Sequence, residues 1–137
     1  MRPRELRIGN IVKCTGHLPI GFNSHKSLFT EIRELRYESV ETAVGFYKYS
    51  NIVPVELDEE ILLKCEFEHE KNDTENSIFY SKSDFVVYKT DEGFGIDFGE
   101  KEWDFFRKFR IKYLHELQNI YFDFTGRELY VNLPKVK

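Results

Sequence analysis

The chain has 137 residues, 41% of them hydrophobic and 32% charged. That is enough for one ordinary domain, or two very small ones tightly joined, with a packed core, and it is unlike the composition of a disordered chain. A formal charge of −4 argues against a protein that coats DNA by neutralising phosphates with excess Lys and Arg. The departure from ordinary composition is aromatic content: 13 Phe, 8 Tyr and 1 Trp, or 16% of the chain.

No stretch approaches the run of about 18 apolar residues that a membrane span needs. Basic residues open the chain without an apolar segment behind them, so no secretory signal is expected. Two cysteines, Cys14 and Cys65, fall short of a disulfide framework. A reduced, cytoplasmic protein without a cofactor is the expectation.

Residues 6–14 place a turn-prone Gly9-Asn10 pair before a β-branched run, which reads as a first strand. The Gly, Pro and Asn content of residues 16–25 marks a loop. Residues 28–35 form a second strand in which Leu28, Thr30 and Ile32 suggest one inward face, while Phe29 and Leu35 fall on the other. Residues 39–47 read as a third strand and 50–55 as a short fourth. Short strands at roughly ten-residue spacing suggest a small, bent β-barrel of the Src-homology/KOW type.

Residues 57–65 read as a short helix. Asp58 is placed to cap it, Glu59 and Glu60 lie in its first turn and Lys64 lies near its other end, complementing the dipole. A polar loop follows to residue 76. Strands are then expected at 77–81, 85–90 and 94–98, with Asp91-Glu92-Gly93 as a hairpin turn. Residues 103–110 read as a fourth strand or an irregular aromatic segment. Residues 111–125 form the most regular helix: Leu114, Leu117, Tyr121 and Phe124 recur at three- and four-residue spacing, and Gly126 supplies the stop. Residues 129–133 fit a closing strand. Tyr121 and Phe124, with Phe85, Phe94 and Phe98, are assigned to the core of the second half.

Charge is uneven: residues 1–57 carry a net +2, residues 58–104 a net −10 and residues 105–137 a net +4. Several constellations bear on chemistry. Cys14 with His17, and Cys65 with His69, are two short-spaced pairs that together would supply a Cys2His2 zinc set. Against this, Cys65 lies on the apolar face of the short helix, where a free Cys is usually a small buried hydrophobe, and nothing local makes the two pairs converge. His115, Gln118 and Asn119 share a polar region of the long helix, a candidate for gripping a ligand or partner; a polar face that hydrogen-bonds to adjacent strands or faces solvent is the more ordinary explanation. Alternating carboxylates at Glu66, Glu68 and Glu70, and at Glu100, Glu102 and Asp104, suit a solvated face better than a cation site. No nucleophile elbow, zinc-protease helix or phosphate loop is present, so no catalytic residue is assigned.

Arg2, Arg4, Arg7 and Lys13 cluster near one end. Arg107, Lys108, Arg110 and Lys112 interleave with Phe105, Phe106, Phe109 and Tyr113. Such a mixture tracks phosphates and stacks bases, or fills a core with a charged outer face.

Three blocks carry a resemblance. Residues 111–129, IKYLHELQNIYFDFTGREL, resemble the KYVHQLQNLYFALTGEEL signature of small proteins encoded by phages, prophages and mobile elements of gut bacteria. Residues 6–12, LRIGNIV, and 54–67, PVELDEEILLKCEF, resemble that family's LRIGNLV opening and PIPLTEEILLKCGF middle. Together they cover about a third of the chain in the same order. The departures are Glu66, where the family has a helix-ending Gly, and the loop around residues 17–25. With no established activity in the family, the resemblance implies a genomic setting. It gives weight to His115, Gln118 and Asn119, and takes weight from zinc because His17 and His69 lie outside the shared blocks.

The expected fold is α+β: a small β-barrel over residues 1–57, a helix and polar linker over 58–76, and an antiparallel sheet with one long helix over 77–137, or all of these in one compact unit. The expected function is that of a non-enzymatic accessory protein that binds a host or phage protein. The alternative is a nucleic-acid or nucleotide-ligand binder with a regulatory or counter-defence role.

Overall fold

The computed structural model describes residues 6–14, 28–69, 78–83, 85–97, 110–133 and 135–136. It is α+β, with a curled antiparallel half-barrel sheet and one long helix. The chain divides into two compact units. Unit 1 comprises Met1–Glu56, Tyr113–Glu128 and Leu133–Lys137, and unit 2 comprises Leu57–Lys112 and Leu129–Asn132. The long helix, expected with the second sheet, thus belongs with the first. The reason is its polar face, described below, which apolar periodicity does not register.

In unit 1, β1 (Ile11–Cys14), β2 (Leu28–Leu35), β3 (Ser39–Thr42), β4 (Gly45–Lys48) and β5 (Ile52–Val53) form a sheet in the order β4-β3-β2-β1-β5. β2 is long enough to serve two partners. It pairs with β1 through Leu28 to Glu31 and with β3 through Ile32 to Leu35. Between Ile32↔Thr42 and Glu34↔Glu41 the register slips at Arg33. A bulge adds a residue, bends the strand and resets its alternation. Ile32 is fully buried, Arg33 and Glu34 are exposed, and Leu35 packs against the core that Ile32 helps to form. A strict two-residue period places Leu35 on the wrong face; the extra residue returns it to the core. That core is Leu6, Val12, Cys14, Ile32, Val40, Val44, Tyr47 and Ile52.

The segment expected as one strand at 39–47 is a hairpin. Thr42 and Gly45 close a two-residue turn, Ala43-Val44. Thr42 Oγ1 accepts the Val44 N–H at 3.2 Å and donates to the Gly45 carbonyl at 3.1 Å, and Gly45 takes φ +132°. The Thr hydroxyl does the work that Asn or Asp does in other turns, which is why an apolar Ala-Val pair is tolerated there. Unit 2 repeats the device at Thr90-Asp91-Glu92-Gly93: Thr90 Oγ1 accepts the Glu92 N–H at 3.2 Å and Gly93 has φ +118°.

Unit 2 holds α1 (Glu59–Lys64) and a sheet in the order β10-β9-β8-β7-β6. The strands are β6 (Glu68–His69), β7 (Ile78–Lys82), β8 (Phe85–Thr90), β9 (Gly93–Asp97) and β10 (Arg110–Ile111). Tyr80, Val87 and Ile96 lie in register and are fully buried. Phe67 meets Phe85 edge-on at 6.1 Å between centroids, an arrangement that suits the ring quadrupoles. On the opposite face the Tyr88 ring lies over Gly95, its cross-strand partner, where a Cβ would collide with it. Leu129 and Val131 are buried and Tyr130 and Asn132 exposed. The expected closing strand is therefore an extended segment, fixed by the Asn132 N–H on the Lys64 carbonyl at 2.8 Å. The last strand, β11 (Lys135–Val136), pairs parallel with β2 in unit 1. Among the described residues no helix is long and apolar enough to cross a membrane.

α1 begins where Asp58 Oδ1 accepts the Ile61 N–H at 2.7 Å. It ends with Phe67 N–H on the Leu62 carbonyl at 3.1 Å and Glu66 N–H on the Leu63 carbonyl at 3.0 Å, the double bond of a Schellman ending. That ending requires a left-handed residue, and Glu66 supplies it at φ +66°. A side chain in this region is strained by about 1 kcal/mol. The Glu66 carboxylate returns little, standing 3.8 Å from Lys82 with 63% of its side chain exposed. Glu66→Gly is therefore expected to stabilise the protein by about 1 kcal/mol, read as a raised urea midpoint at unchanged slope.

Candidate functional site

Two of the residues singled out on the long helix, α2 (Leu114–Thr125), Gln118 and Asn119, converge with a turn at residues 7–10. α2 starts where the Glu116 carboxylate accepts the Tyr113 N–H at 3.0 Å. It stops at Gly126, φ +72°, whose N–H meets the Phe122 carbonyl at 2.8 Å. Leu114, Leu117 and Tyr121 form its buried apolar stripe. Phe124, assigned to the core from its spacing, is 58% exposed.

Polar contacts hold the Arg7-Ile8-Gly9-Asn10 turn. Asn10 N–H closes it on the Arg7 carbonyl at 3.0 Å, and Gly9 at its third position has φ +96°, the conformation that calls for Gly in a type II turn. β2 holds one side, with Gly9 N–H on the Ile32 carbonyl at 2.8 Å and Ile32 N–H on the Asn10 carbonyl at 2.9 Å. α2 holds the other. Gln118 Oε1 accepts the Ile11 N–H at 2.8 Å, and its Nε2 donates to the Gly9 carbonyl at 3.1 Å. The side-chain amide thus occupies the place of a neighbouring strand where β5, which reaches only Lys13 and Cys14, does not extend.

Asn119 continues the clamp. Its Oδ1 accepts from Asn10 Nδ2 at 2.8 Å and from Arg7 Nε at 3.2 Å. The Arg7 guanidinium forks onto Glu128 at 2.6 and 3.1 Å and lies over the Phe122 ring, 4.5 Å from its centroid. Arg7, read as part of a basic cluster, is held by a carboxylate and an aromatic face. Two of the three blocks that carry the family resemblance, 6–12 and 111–129, are thus two halves of one polar interlock.

Gln118 is 2% exposed and His115 1%; the His115 ring stacks on Tyr113 at 5.7 Å with 11° between planes. A ligand could reach either side chain only if α2 moved. The structure therefore brings Gln118 and Asn119 together in a contact within the chain. Arg110 is exposed and paired with Glu92. Arg107 and Lys108, with Phe105, Phe106 and Phe109, lie outside the described residues, as do His17 and Phe98.

The cysteines are 1% exposed at Cys14 and 0% at Cys65. Burial pushes the Cys14 thiol up to about 11, with the Thr42 hydrogen bond offsetting part of the effect. It pushes the Cys65 thiol up to about 12 against the pull of Lys82. Apolar burial thus favours the protonated thiol over the thiolate that metal ligation and nucleophilic attack require. His69 lies exposed on β6, its ring 5.5 Å from that of Tyr80. Among the described residues no group of three or more His, Cys, Asp or Glu side chains is arranged to hold a metal ion.

Gln118→Ala would leave the Gly9 carbonyl and Ile11 N–H without their partner. At roughly 1–3 kcal/mol for each group left unpaired, a loss of about 2–6 kcal/mol is expected in urea denaturation. The raised thiol values set a second outcome. Because both folded-state values lie above the ordinary 9.0, their stabilising contribution is complete below that pH and is lost as pH rises through about 11 and 12. Near neutral pH an aromatic disulfide reagent should label neither cysteine until urea unfolds the chain; rapid labelling of the folded protein would contradict this. No protein-family model, curated protein or solved structure matches the chain.

Proposed function

We propose that the protein is a non-enzymatic binding module that acts on a partner protein, in the phage and mobile-element setting its three sequence blocks suggest. The observation that carries this reading is Tyr37, 94% exposed at the β2–β3 connection. The backbone beneath it is held on two sides: Arg36 N–H meets the Ser39 carbonyl at 2.9 Å, and Tyr49 Oη donates to the Arg36 carbonyl at 2.6 Å. A large aromatic side chain presented on ordered backbone loses little further backbone entropy on docking, and Tyr is among the residues that dominate interface energetics. The amides and thiols that would otherwise suit catalysis are engaged in the fold or buried. Finer architecture belongs to the same proposal: the bulged β2 supports reading the first sheet as a bent barrel of the Src-homology/KOW type.

The second reading, a nucleic-acid or nucleotide binder, draws on Arg107, Lys108 and Arg110. Unit 2, which contains them, carries 15 acidic against 9 basic residues, a balance that disfavours phosphate binding.

The test is affinity capture from lysogenic or infected host lysate with wild type and Tyr37→Ala in parallel. Recovery of one specific protein, reduced about tenfold or more by the substitution at unchanged thermal stability, is the expected result. Equal recovery by both, or salt-sensitive DNA or RNA binding in place of any protein, would overturn it.

A further inference from the structure

We draw no further inference here: the strongest candidate, the outer face of the β2–β3–β4 sheet around the exposed Phe46 ring, sets Arg36 and Lys48 against Glu34 and Glu41 with no net charge to select an occupant, and nothing in the structure shows what covers it.

Discussion

The interaction on which unit 1 depends is the bidentate grip of Gln118 on the backbone of Gly9 and Ile11. Buried backbone donors and acceptors must find partners, and a short edge strand leaves its neighbour incompletely paired. A helix cannot offer its own backbone to a strand, because its N–H and C=O groups are already used along its axis. A side-chain amide can, since its NH2 and C=O present a donor and an acceptor side by side at about the spacing of a peptide group. Gln118 is placed to do so because α2 is ordered at both ends, by Glu116 at the start and Gly126 at the stop.

The turn that Gln118 grips is itself constrained. Gly9 adopts a positive φ that other residues resist, and Asn10 faces the helix with its side chain while its backbone faces β2. Asn119 and Arg7 add charge-assisted and aromatic contacts around this centre. Their contribution is directional more than energetic. The Arg7–Glu128 fork is partly exposed, with 28% and 55% of the two side chains accessible, and pairs of that kind stabilise little. What they add is a tie between the turn before β1 and the face of α2.

Unit 2 is held by more conventional means, an apolar sheet face and a capped short helix, yet it shares one device with unit 1. Both contain a Thr-x-x-Gly hairpin in which the threonine hydroxyl bridges the turn. In unit 1 the turn residues are Ala43 and Val44, with Val44 buried in the core. The polar function of the turn has moved one residue back, to Thr42, which frees a turn position for packing.

Much of the local structure was legible from the chain alone. The bounds of β2, the Asp58 cap, the Asp91-Glu92-Gly93 turn, the Leu114, Leu117 and Tyr121 members of the α2 stripe and its Gly126 stop all follow from interactions spanning a few residues. At Glu66 it is the resemblance, not the chain by itself, that suggests a helix-ending glycine, and the positive φ there is one that glycine adopts without strain. What only the tertiary structure decided is which sheet receives α2 and what its polar residues do. Those contacts join residues 107 to 112 positions apart, and no local pattern encodes them: an amide that will clamp buried backbone is written the same way as one that will face solvent. The bulge at Arg33 belongs with these, because a strand's period is reset only by the partner it must match.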